Sequence, residues 1–246
     1  MNNDLKHVLI VDDEPDIINI IEVILNKVGK YKVSGVANGI RALDLLSKDP
    51  TVDLVLADIK MPEMDGVELV SRIKDNDVER PKVIFVTGFA DIPVDKLYDA
   101  GACGFIAKPF EWKTIVNTVE ECFKKKPCYD KVYNEHDIKM NINMELPSLE
   151  AAQAARDDFV LGRGGVFLNT LQKRAGIGDL IRFKVDFQQG DIGRIEGVGE
   201  IIWQRVPGGD NVLLGVKFHN IRPELENFVE DLCRKQKVRA FIPMRK

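Results

Sequence analysis

Hydrophobic and polar positions along the first 126 residues fall into a repeating alternation. Short apolar runs alternate with longer stretches in which apolar residues recur at helical spacing. Val8–Val11 is such a run, closed by Asp12-Asp13-Glu14-Pro15. Ile17, Ile18, Ile21, Ile24, Leu25 and Val28 follow at helical spacing, with Pro15 in the first turn and Gly29 at the end. Residues 31–36 predict a second strand. Asn38 predicts the cap of a helix with Ile40, Leu43, Leu45 and Leu46 inward. Leu54-Val55-Leu56-Ala57 ends in Asp58 and a Met-Pro-Glu-Met-Asp-Gly turn, and Val67, Leu69, Val70 and Ile73 continue as a helix. Residues 82–86 predict strand four, 91–100 a short helix and 103–107 strand five. A last helix runs from 111 to about 126, with Trp112, Ile115, Val116, Val119, Cys122 and Phe123 on one face. Five buried strands alternating with five helices predict a doubly wound parallel sheet.

The second half reads differently. Pro127 stops the helix, and the polar residues 127–150 read as a linker. Ser148 predicts the cap of a short helix. From Phe159 the pattern turns to β. Ile181, Phe183, Val185 and Phe187 alternate with charged residues, as in a half-buried strand. Residues 192–206 and 212–218 predict a hairpin closed around Pro207-Gly208-Gly209-Asp210-Asn211. Leu225, Phe228, Val229 and Leu232 mark a terminal helix. A small antiparallel β-barrel over 151–235 follows, then a basic tail, 236–246, read as frayed. Gly162-Arg163-Gly164-Gly165 leads into β pattern rather than a helix, so a dinucleotide-binding loop is excluded.

Charge sharpens this division. Residues 1–126 hold 22 acids and 17 bases, net −5; the remaining 17 acids and 18 bases give +1. A cation site belongs in the first half, and neither half has the basic field of a DNA-binding domain. The four cysteines show no metal or disulfide spacing, and no run reaches the roughly 20 apolar residues of a membrane span. A cytoplasmic location is expected.

Right-handed crossovers bring the C-terminal ends of all five strands to one edge. Asp12, Asp13, Asp58, Thr87 and Lys108 lie at those ends. Singly, each reads as a cap, a turn residue or a solvated charge. Together, three carboxylates, a hydroxyl and an ammonium suit phosphoryl chemistry around a hard cation.

Four motifs then carry a resemblance: Val-Asp-Asp-Glu-Pro at 11–15, Ala-Asp-Ile-Lys-Met-Pro-Glu-Met-Asp-Gly at 57–66, Phe-Val-Thr-Gly at 85–88 and Gly-Ala-Cys-Gly-Phe-Ile-Ala-Lys-Pro-Phe at 101–110. The segment resembles the receiver domain of two-component response regulators, a flavodoxin-like (CheY-like) fold. The resemblance implies Asp58 as phospho-acceptor for a sensor histidine kinase or phosphotransfer protein. It implies Mg²⁺ held by Asp13, Asp58 and the Lys60 backbone carbonyl, with Asp12 acting through water. Thr87 and Lys108 would hold the phosphoryl group, Phe105 would be the aromatic switch, and the peptide before Pro109 would be cis. Phe89, two residues after Thr87, is expected to shield the acyl phosphate. Lys60 stands where an aspartyl-nucleophile phosphatase would place its acid, so a turnover enzyme is not expected. A homodimer is an open possibility of the fold.

Residues 155–233 are similar to PilZ domains, through Leu-Gly-Arg-Gly-Gly-Val-Phe-Leu at 161–168, Ile-Gly-Asp at 177–179, Gly-Glu-Ile-Ile-Trp at 199–203 and Leu-Gly-Val-Lys-Phe at 214–218. That family binds cyclic di-GMP through an Arg-x-x-x-Arg pair and an (Asp/Asn)-x-Ser-x-x-Gly motif. Here the pair is absent, and Val160, Gly162 and Gly165 stand at the second motif. Cyclic di-GMP is therefore not expected as a ligand, Arg163 being the one candidate contact. A protein-binding output is the leading reading, and a cyclic di-GMP effector modulated by phosphorylation the alternative.

Overall fold

The computed structural model describes residues 5–88, 92–123, 131–172, 174–207 and 210–244. The chain divides into two units, residues 1–93 with 100–125, and residues 94–99 with 126–246.

The first unit contains β1 (Lys6–Val11), α1 (Pro15–Val28), β2 (Tyr31–Val36), α2 (Gly39–Lys48), β3 (Val52–Asp58), α3 (Gly66–Asn76), β4 (Lys82–Gly88), β5 (Gly104–Lys108) and a helix at Trp112–Phe123. Its five strands are parallel, in the order β2-β1-β3-β4-β5. That order reverses direction between β1 and β3, which opens a crevice at their C-terminal ends.

Local chemistry sets the element ends as expected. Pro15 opens α1, and Gly29 closes it at φ 70°. Asn38 accepts from the Arg41 amide, and Asp65 from the Glu68 amide. Val8, Leu9, Leu54, Val55, Val83, Ile84 and Phe85 are fully buried, because helices cover both faces of the sheet. Two inward assignments are corrected. Ile40 is 48% exposed and Trp112 59% exposed, since each lies in the first turn of its helix, short of the face that packs on the sheet.

Within the second unit lie α4 (Val94–Asp99), β6 (Ile138–Ser148), α6 (Leu149–Ala155), β7 (Phe159–Leu161), β8 (Gly165–Thr170), β9 (Leu180–Gln189), β10 (Arg194–Arg205), β11 (Val212–Ile221) and α7 (Pro223–Lys235). With α4 so numbered, Trp112–Phe123 is α5. The strands form one sheet, β6-β9-β10-β11-β8-β7, antiparallel except for the parallel pair β6–β9. The expected closed barrel is thus an open half-barrel with β6 and β7 at its ends. Its core joins Phe159, Val166, Leu168, Ile181, Phe183, Val216 and Phe218 to Leu225 and Val229 of α7.

Two regions differ from the sequence reading. Residues 138–148, expected as linker, are β6, eleven residues paired along β9. Met140 and Ile142 are buried, while Lys139, Asn141 and Asn143 face outward. The basic tail is not frayed. Ala240 and Ile242 are buried, and the Arg163 and Gly164 amides donate to the Ala240 and Phe241 carbonyls at 3.0 and 2.8 Å. The glycine run makes this approach possible. A Cβ on Gly164 would lie 2.0 Å from the Phe241 ring, and one on Gly162 2.6 Å from Pro243. Residues 94–99 share in holding this segment. The Phe241 amide donates to the Tyr98 carbonyl at 2.9 Å, and Asp99 accepts from the Met244 amide at 3.0 Å.

If β6 is structural, Ile142→Ala should cost about 2–5 kcal/mol through the cavity it leaves. The same change in a linker would stay within about 0.5 kcal/mol. Urea unfolding followed by tryptophan fluorescence measures the difference, Trp203 lying in this unit.

Candidate functional site

Asp58 is the last residue of β3 and is 6% exposed; Asp12 directly follows β1 and is 1% exposed. Lys108 ends β5 and connects them. Its Nζ lies 2.8 Å from Asp12 Oδ2, 2.9 Å from Asp58 Oδ1 and 3.7 Å from Glu14 Oε1. The Lys108–Pro109 peptide is cis, as the resemblance implies.

Each group has a further anchor. Asp12 accepts from the Glu14 amide at 2.9 Å, which supplies a partner at the start of α1, where Glu14 itself makes no side-chain cap. The turn after Asp58 is held by the Gly66 amide, which donates to the Ile59 carbonyl at 2.8 Å. A Cβ on Gly66 would lie 2.2 Å from the Asp58 carbonyl oxygen, so only glycine allows the start of α3 to pack on the acceptor strand. Sequence reading treats Gly66 as a turn residue, and nothing in the sequence marks its packing role.

Burial pushes the Asp58 carboxyl above its ordinary value of 3.8. Lys108 and the Lys60 backbone N–H pull it down, Asp12 pushes it up, and the upward causes prevail. For Lys108 burial acts downward, but the Asp12 and Asp58 carboxylates outweigh it and raise the ammonium above 10.5. The lysine stays charged across the physiological range, and burial is the main force that holds the Asp58 carboxyl up.

Five sequence-predicted residues, Asp12, Asp58, Thr87, Lys60 and Lys108, stand at one sheet edge in differing roles. Thr87 is buried at the end of β4, its hydroxyl 3.3 Å from the Gly88 carbonyl. In register it sits opposite Ala107, one residue beyond the Asp58 partner Val86. The Lys60 backbone N–H donates to the Asp58 carboxylate. Asp13 is exposed and is not among the acids paired with Lys108, whereas Asp12, expected to act through water, is the buried one. The reason is the turn after β1, which directs the first of the two adjacent aspartates inward. Among the described residues no group of three acidic, histidine or cysteine side chains is close enough to hold a metal ion. Phe105 is half-buried on β5, opposite Phe85. Phe89 lies outside the described residues. Beside the acceptor, Ile59, Lys60, Met61, Asp65 and Ile92 line an open groove of about 450 Å³.

Arg163 belongs to the second unit. Its Nε donates to the Arg239 carbonyl at 3.0 Å, beside the glycine run that receives the C-terminal segment.

Comparison with known proteins supports the same half of the chain. The model of the response regulator receiver domain matches residues 8–120. Sporulation initiation phosphotransferase F of Bacillus subtilis is 37% identical over 117 residues, 47% of this chain and 92% of that protein. The response regulator receiver protein CpdR of Brucella abortus is 36% identical over 118 residues, 48% of this chain and 96% of that one. A probable cyclic di-GMP phosphodiesterase of Vibrio cholerae is 35% identical over 132 residues, which span 29% of its length. Among solved structures, a CheY-like receiver domain protein from Methanospirillum hungatei is 32% identical with a TM-score of 0.43, covering 48% of this chain and 93% of its own. No helix among the described residues is long and apolar enough to cross a membrane.

The raised Asp58 fixes the sign of a stability test. A carboxyl whose folded-state pKa exceeds its unfolded value costs stability once it ionises. That cost is absent below the unfolded value near 3.8, grows through the window up to the folded value and is full above it. Asp58→Asn should therefore melt at a higher temperature than the parent at pH 7. The gain should shrink as the pH falls toward 4, as followed by thermal melts across that range.

Proposed function

Because this chain belongs to the response regulator receiver domain family, we propose that it is a phosphorylation-driven switch whose acceptor is Asp58. The observation that carries the reading is the half-buried Lys108 ammonium, bonded to both Asp12 and Asp58 at the end of the sheet. An Asp58 oxygen attacks the phosphorus of a phosphohistidine on a sensor kinase or phosphotransfer protein. The nitrogen–phosphorus bond breaks, the phosphoryl group passes to Asp58, and the donor histidine takes up a proton. Lys108 holds one phosphoryl oxygen electrostatically, and the Thr87 hydroxyl donates to another. The chain is read as a phosphoryl acceptor rather than a turnover enzyme.

A hard divalent cation suits the donor set. Asp12 and Asp58 are buried carboxylates gathered on one lysine, and Asp13 adjoins Asp12 in sequence, so the donors are hard oxygens of the kind Mg²⁺ takes. Mg²⁺ would be held by Asp12, Asp13 and Asp58 with the Lys60 carbonyl, and would neutralise charge on the phosphoryl oxygens. Phe105, half-buried beside Phe85, is the aromatic switch in this reading.

The second unit is read as a PilZ-like output that acts through a protein partner. Support comes from its largely antiparallel sheet, its α7 and the motifs at 161–168, 199–203 and 214–218. A cytoplasmic location fits this reading.

Asp58→Ala should abolish labelling by acetyl phosphate with Mg²⁺, and Lys108→Ala should slow it by about 10²-fold, the typical cost of one electrostatic stabiliser. Intact-protein mass spectrometry reads both. Undiminished labelling of the Asp58 variant would overturn the assignment.

A further inference from the structure

We propose that Cys103 and Cys122 form a reversible thiol–disulfide pair that responds to peroxide. Cys103 immediately precedes β5, and Cys122 lies in the last turn of α5. Their sulfurs are 2.9 Å apart, both are thiols, and both are half-buried, so small oxidants can reach them. A covalent S–S bond is about 2.05 Å long, so closing the pair asks an approach of less than about 1 Å.

The backbone around the two thiols is already held in place. The Cys103 amide donates to the Val83 carbonyl at 2.8 Å, and its Sγ lies 3.2 Å from the same oxygen. Lys82 Nζ donates to the Cys122 carbonyl at 2.5 Å. Neighbouring residues of β4 thus fix both cysteines, one from each side of the sulfur pair. A thiol pair on two independently mobile loops would have to search for this geometry; here the start of β4 supplies it.

One thiol is oxidised by a peroxide to a sulfenic acid, its sulfur losing two electrons to the O–O bond and releasing one water. The second thiol then attacks that sulfur, the S–O bond breaks and another water leaves. In sum, two thiols and one hydrogen peroxide yield one disulfide and two waters. A dithiol reductant reverses the change by exchange. The bond ties the start of β5 to the end of α5. It therefore restrains the strand that carries Phe105 two residues on and Lys108 at its end.

Cys233 is an internal control. It is buried, and burial pushes its thiol up to about 12, which keeps it protonated and unreactive.

The test treats the full chain with hydrogen peroxide, alkylates remaining thiols with iodoacetamide and maps peptides with and without reduction. The expected result is a cross-linked Cys103–Cys122 peptide pair that dithiothreitol dissolves, with Cys233 unchanged. Cys103→Ser should abolish the cross-link and leave Cys122 as a sulfenic acid trapped by dimedone. Amide hydrogen exchange over 104–123 should slow in the oxidised parent and not in Cys103→Ser. Full alkylation of both cysteines after peroxide, or pairing of Cys122 with Cys128 instead, would overturn the site. A cross-link without slower exchange would overturn the restraint.

Discussion

The first unit depends on one electrostatic constraint, the confinement of two carboxylates and one ammonium at the end of an apolar sheet. Taking charges out of water costs several kcal/mol per ion, repaid only by good geometry and further hydrogen bonds. Lys108 Nζ meets both the Asp12 and the Asp58 carboxylates. For Lys108 the two carboxylates together outweigh its own burial. The three come from β1, β3 and β5, so the arrangement exists only when the strand order is correct. Neighbouring strands are about 4.8 Å apart, which puts the axes of β3 and β5 about 10 Å apart. Thr87 stands near the end of β4, the strand between them in the sheet.

Legibility in the sequence follows from this physics. Strands buried on both faces read as unbroken apolar runs, so polar residues at their ends stand out. Asp12, Asp58, Thr87 and Lys108 were found for that reason. Which of Asp12 and Asp13 turns inward was not legible. Two adjacent aspartates have the same chemistry, and the backbone of one turn chooses between them. The Gly66 approach to the Asp58 carbonyl was hidden likewise, because a turn glycine and a packing glycine look alike in a single sequence.

The second unit was read less well, for a different reason. In β6, Ile138, Met140, Ile142, Met144 and Leu146 alternate with polar residues, which is the pattern of a half-buried strand. Asn134, Asn141 and Asn143 give the region the composition of a linker, and that polarity masks the period. Its partner β9 lies some forty residues away and pairs with it in parallel, a long-range fact that local pattern does not carry. The tail misled in a similar way. Lys235, Lys237 and Arg239 dominate its character, yet Ala240 and Ile242 are the residues that pack. Gly162, Gly164 and Gly165 then acquire a structural reason. They leave room for a neighbouring stretch of the same chain, and nothing about phosphate is needed to explain them.

A phosphoryl group on Asp58 would replace one carboxylate charge by about −1.5 to −2 and add three strong acceptor oxygens. Lys108 cannot satisfy the new oxygens and keep its present contact with Asp12 unchanged. One of the two bonds must lengthen or another donor must come in. Thr87, whose hydroxyl meets the neighbouring Gly88 carbonyl at 3.3 Å, is a donor with little to lose. The free energy that can shift a conformational equilibrium is limited to the difference in these contacts between the two states. A weakly held hydroxyl gives up little on turning to a phosphoryl oxygen, so little of what the threonine gains is cancelled by what it loses.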